Sequence, residues 1–71
     1  MSRIQTYKVR RTLANGSYEW LGCDDHGFPV WHELAMDAFP YFDKGDASLV
    51  REECRILNDD TNVIFHAVVQ L

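Results

Sequence analysis

The dipeptide Asn15-Gly16 constrains this chain most, because it separates two stretches that each alternate apolar and polar residues. Both residues tolerate the positive φ that tight hairpin turns demand, so an antiparallel strand pair is expected around them. In the incoming stretch "IQTYKVRRTL", Tyr7, Val9 and Leu13 fall on one face, and Thr6, Lys8, Arg10 and Thr12 on the other. In the returning "SYEWLGC", Tyr18 and Trp20 share one side, Glu19 and Leu21 the other.

The next six residues, "DDHGFP", read as a loop of Asx-type turn formers, a glycine and a proline. "VWHELAMDAF" then carries good helix formers and stops at Pro40, so a short helix is expected over roughly residues 32–39. In it Leu34, Ala35 and Ala38 face inward, and Glu33 and Asp37 outward. "DKGDASLVREECRIL" reads as the main helix. Asp46 is its expected N-cap, and Ala47, Val50, Cys54 and Leu57 form its apolar stripe, away from Arg51, Glu52 and Arg55. A rival hairpin, with Val50, Glu52, Cys54 and Ile56 alternating and "NDDTN" as its turn, fits less well. The β-branched and aromatic run "NVIFHAVVQL" is a strand, apolar on both faces and so expected to be largely covered.

The expected fold is α+β: a β-β-α-α-β chain whose three-stranded antiparallel or mixed sheet has order 2-1-3, with the helices on one face. Tyr7, Val9, Tyr18, Trp20, Phe65 and Val69 are expected to meet the stripe of the main helix. Residues 1–71 make one domain, near the lower size limit for a chain that folds alone. A core this small yields only about 3–5 kcal/mol of net stability and leaves little room for a deep catalytic cavity. Size therefore favours a binding module over an enzyme. With neither a signal-peptide run nor a bilayer-length apolar stretch, a soluble, cytoplasmic chain with reduced cysteines is expected.

Cys23, His26, His32 and Cys54 supply the residue types that zinc favours, but only Cys23 and His26 form a close pair. Turn residues and a core thiol explain them better. No glycine-flanked nucleophile or phosphate-cradling loop occurs, so neither catalysis nor a cofactor is expected.

Charge is the more informative feature. The net charge is −4, yet Arg3, Lys8, Arg10 and Arg11 precede every acid. All eleven acids follow residue 15, against only Lys44, Arg51 and Arg55. Asp24, Asp25, Glu33, Asp37, Asp43, Asp46, Glu52 and Glu53 punctuate turns and exposed helix positions, with Asp59 and Asp60 behind them. Such a field attracts basic proteins and can imitate the phosphate row of DNA. Trp31, Tyr41 and Phe42 lie among these acids as core plugs or, if exposed, as aromatic anchors for a basic partner. Lys8 and Arg10 give the first strand a basic face, but the hairpin aromatics are expected on the core side, away from any bound base.

The order of a "YKVRRTLANGSYEWLG" hairpin, "VWHELAMDAF", a helix and a final strand resembles many small phage and prophage proteins. The compact, acidic profile is similar to that of anti-CRISPR proteins, some of which act as DNA mimics. The resemblance implies a non-catalytic inhibitor that docks on a basic nucleic-acid-binding protein, with a CRISPR effector complex as the target class. The alternatives are a nucleic-acid-binding regulator that uses the basic first strand, a zinc-stabilised module, and a phage structural or assembly protein. The final strand can also lie at a sheet edge, where a second copy pairs.

Overall fold

The computed structural model describes residues 5–70. Its hairpin turns where Asn15-Gly16 predicts: Gly16 takes a φ of +87°, and the Leu13 amide donates to the Ser17 carbonyl at 2.9 Å. The strands it joins are β1 (Thr6–Thr12) and β2 (Tyr18–Cys23), antiparallel, with Arg10 opposite Trp20, Arg11 opposite Glu19 and Thr12 opposite Tyr18.

This register overturns one expectation. Directly opposed residues share a face of the sheet. Tyr18 and Trp20 therefore lie with Thr12 and Arg10, not with Tyr7 and Val9. Alternation alone leaves open which half of a strand joins which half of its neighbour. The turn decides it, and it sends Glu19, Leu21 and Arg11 to the face of Val9.

A fourth strand, not expected from the sequence, precedes the segment read as a short helix and takes its first residue, His32. Asp24 Oδ1 accepts from the amides of His26 and Phe28, both at 2.9 Å, and Gly27 takes a φ of +83°. This tight turn folds β3 (Pro29–His32) back on β2, with Leu21 opposite Trp31 and Trp20 opposite His32. Pro29 is tolerated as the first residue of an edge strand. Of the expected helix over 32–39 only a 3-10 turn remains, Ala35–Asp37. Leu34 supplies no side-chain cap, and Ala38 is already extended ahead of Phe39-Pro40. The sheet thus has four strands in the order β3-β2-β1-β4, all neighbours antiparallel, rather than three.

The chain then crosses the sheet. The Phe39 amide donates to the Leu21 carbonyl at 3.0 Å, and Tyr7 and Tyr41 exchange backbone hydrogen bonds at 2.7 and 2.8 Å. Residues 39–41 thus fill the split between the start of β1 and the end of β2. The 3-10 turn lies on one face, where Lys8 Nζ donates to the Ala35 carbonyl at 2.7 Å. The main helix lies on the other, so the helical segments do not share a face.

That helix, α1 (Lys44–Leu57), matches the expected segment, but its N-cap is Asp43 rather than Asp46. Asp43 Oδ1 accepts from the Gly45 amide, and Asp46 sits in the first turn, where its charge complements the helix dipole. α1 packs on β1 and β4 (Ile64–Gln70), and β4 pairs with β1 along all seven residues. Val9 and Ala47 are fully buried between these layers, with Leu21 and Phe65 close behind. Leu57, assigned to the stripe, is 83% exposed, and Leu34, assigned inward, is exposed too. β4 is less covered than its composition predicts, since Ile64 and Val69 are both about half exposed. Among the described residues no helix is long and apolar enough to cross a membrane.

Candidate functional site

Because α1 packs on β1 and β4, the helix-side face of β2 and β3 is left partly open. The result is a groove of about 420 Å³, floored by Leu21, Trp31 and Phe65 and walled by Val50, Cys54 and Leu57. Trp31 meets Phe65 with ring centroids 5.8 Å apart and planes tilted by 53°. The Arg11 guanidinium sits 4.3 Å from the centroid of the Trp31 ring. Glu19 accepts from Arg11 Nε at 2.7 Å, so that cation is offset and adds little free positive charge to the groove. Burial, with the neighbouring Glu53 carboxylate, raises the Cys54 thiol above its usual pKa, and Arg11 opposes the shift. Cys54 therefore presents a neutral thiol to the groove wall.

The eight acids expected to bind a partner do not form one field. Glu53 alone of them lines the groove. Asp24 and Asp25 are exposed in the turn that leaves the groove wall at Pro29. Asp24 is engaged as the acceptor that closes that turn, and Asp43 as the helix cap. Asp46 lies at the helix N-terminus, and Glu33 is exposed just past β3. Asp37 belongs to the 3-10 turn on the opposite face. Glu52 accepts from both Arg51 and Arg55, and the Arg55 hydrogen bond is the main cause of its lowered pKa.

Of the three aromatics between the hairpin and α1, Trp31 is half-buried in the groove and Tyr41 is clamped against Tyr7. Phe42 is exposed, and so is Phe28 beside the groove. Sequence reasoning missed Leu57 as a site residue, because the helical period counts it as core. It also missed the Arg11–Trp31 contact, which only the strand register reveals.

The other sheet face gathers Lys8, Arg10, Tyr18, Trp20, His32 and His66. The Arg10 guanidinium lies 4.1 Å from the Tyr18 ring centroid and 5.7 Å from that of Trp20. Arg10 Nε and His32 Nε2 are buried with no hydrogen-bond partner among the described residues. Of the four basic residues near the N-terminus, Arg11 lies on the groove face instead, and Arg3 lies outside the described residues.

Cys23 is exposed at the end of β2, Cys54 is half-buried in α1, and neither is in a disulfide. Among the described residues no group of three or more His, Cys, Asp or Glu side chains is placed to hold a metal ion. The fold defines a small α+β domain with a four-stranded antiparallel sheet and one helix. Compared with known proteins, the chain matches no family model, no curated protein and no solved structure.

Proposed function

We propose that this protein is a non-catalytic inhibitor that docks on a basic nucleic-acid-binding protein through the groove beside α1. The observation that carries the reading is the groove itself: an aromatic and aliphatic floor left open by the helix, with Glu53 on its wall and Asp24 and Asp25 beside it. Apolar anchors surrounded by charge are the usual anatomy of a hot spot. The partner that fits presents an apolar side chain flanked by Lys or Arg, and the net charge of −4 favours its approach. As a target class we name the CRISPR effector complexes, whose DNA channels are basic.

The test is displacement of duplex DNA from a purified effector complex, read by fluorescence anisotropy. The wild-type protein should displace the DNA, less effectively as salt rises. Leu57→Ser should weaken displacement about tenfold or more, since burying a leucine side chain is worth about 1.5–3 kcal/mol. Glu53→Lys with Asp25→Lys should weaken it further, whereas Glu52→Lys should matter less because Glu52 is already ion-paired. A wild-type protein that displaces no DNA from such complexes would overturn the reading.

A second reading has an observation in its favour. Because Tyr18 and Trp20 share a face with Lys8 and Arg10, that face does interleave aromatics with basic groups, as single-strand binders do. It ranks lower because the Arg10 guanidinium already stacks on the Tyr18 ring, and Lys8 Nζ is held by the Ala35 carbonyl. On this reading Lys8→Ala and Arg10→Ala abolish retention on single-stranded RNA or DNA.

A further inference from the structure

We infer that the open edge of β4 pairs with β4 of a second copy, joining two four-stranded sheets into one. The backbone states which groups are free. Tyr7 and Leu13 spend their hydrogen bonds on Tyr41 and Ser17, on the β2 side of β1. Amide direction alternates along a strand, so Thr6, Lys8, Arg10 and Thr12 turn theirs toward β4. Their partners there are Gln70, Val68, His66 and Ile64. Phe65, Ala67 and Val69 therefore point their amides and carbonyls outward, where no described strand receives them.

The two edges of the sheet differ. β3 is four residues long and begins with Pro29, two ordinary ways of blunting an edge. β4 has seven residues, "IFHAVVQ", with no proline, glycine, lysine or carboxylate. Ile64 and Val69 are 56% and 46% exposed on its two faces. A long, regular, apolar edge of this kind is a template for another strand.

Three features select a second copy as that strand. First, antiparallel pairing of a strand with itself about a two-fold axis is self-complementary. With the axis at Ala67, the middle of β4, Ala67 bonds to its own twin and Phe65 to Val69 of the second copy, so every outward group is used. Second, the acidic charge does not oppose the approach. By the helical period, the flank of α1 away from the groove carries Lys44, Ser48, Arg51, Glu52 and Arg55, and Lys44 lies beside Ala67 and Val69 of β4. Its Glu52 is joined to both arginines, so two copies meet across a modest positive charge and not across the acids that dominate the chain. Third, the helices fit. α1 packs on both β1 and β4, so its axis lies near the line between them. With strands about 4.8 Å apart, two helices related across the β4 pair stand about 10 Å apart. That is the upper end of the roughly 8–10 Å at which helices pack.

The test is sedimentation equilibrium of the full chain, together with hydrogen exchange of single amides. The wild type should show twice the 8.3 kDa chain mass at high concentration and dissociate on dilution. The Phe65, Ala67 and Val69 amides should be protected only in the dimer, while those of Ile64, His66 and Val68 stay protected throughout. Val69→Pro removes one outward amide that the protomer does not use, and it should give a monomer with an unchanged circular dichroism spectrum. A monomeric wild type at millimolar concentration would overturn the inference. So would a dimer whose Phe65, Ala67 and Val69 amides exchange as fast as in the monomer.

Discussion

Gly22 is the most closely approached of the four glycines, and Gly22→Ala tests the packing around it. A Cβ there would lie 2.5 Å from the Asp37 carbonyl oxygen and 2.6 Å from a carbon of the His32 ring. Ordinary contact needs about an ångström more. The obstacle is backbone, and it is tied down, because the Phe39 amide two residues on is bonded to the Leu21 carbonyl. Two effects compete. Alanine in place of glycine in a strand is worth about 0.5–1 kcal/mol in conformational entropy. Overpacking costs about 1–3 kcal/mol, and freeing the Phe39–Leu21 hydrogen bond adds about 1 kcal/mol. The clash wins, for a net loss of about 2 kcal/mol. A domain of this size has only about 3–5 kcal/mol to lose. With a urea slope of about 1 kcal/mol per molar, the unfolding midpoint should fall by about 2 M. Tryptophan fluorescence during a urea titration measures this directly. An unchanged or raised midpoint would mean that the 3-10 turn does not lie on Gly22 and that the described sheet crossing is wrong.

Further outcomes follow from single contacts. Asp43→Ala should cost about 1 kcal/mol by removing the N-cap, and Asp46→Ala clearly less, in the same urea titration. Tyr41 has its hydroxyl pKa raised first by burial and then by Cys23, Cys54 and Glu53. A folded-state pKa above the unfolded one gives stability that is complete below the unfolded value and is lost as pH rises through the folded one. Urea midpoints should therefore fall above about pH 10, and Tyr41→Phe should flatten that alkaline limb. Iodoacetamide should alkylate the exposed Cys23 before Cys54, which is half-buried and has a raised pKa, with peptide mass spectrometry reporting the order.

What the sequence disclosed and what it concealed divide along a physical line. Features carried by neighbouring residues were legible: the Asn15-Gly16 turn, the helix with its Ala47, Val50 and Cys54 stripe, and the β-branched final strand. Features set by pairing between distant residues were not. Pro29–His32 is too short to show a period of its own, and it becomes a strand only because β2 is there to receive it. Tyr18 and Trp20 alternate correctly, yet which face they occupy depends on their partners in β1. The groove is hidden for the same reason. Leu21, Trp31, Phe65 and Leu57 come from four elements, and the gap among them exists because one helix packs on only part of a four-stranded sheet. The acids were visible as residues, but the ones already committed to caps, turns and ion pairs were not.

The two tryptophans stand on opposite faces, Trp31 in the groove and Trp20 beside Arg10, and each indole N–H gives its own NMR signal. The most direct test is to record both signals while adding a DNA-free CRISPR effector complex, and separately single-stranded RNA. Docking in the groove predicts that the effector shifts or broadens Trp31 first, with Trp20 little changed and no response to RNA. A response of Trp20 to RNA, with Trp31 indifferent to the effector, would contradict the account and give the function to the basic face.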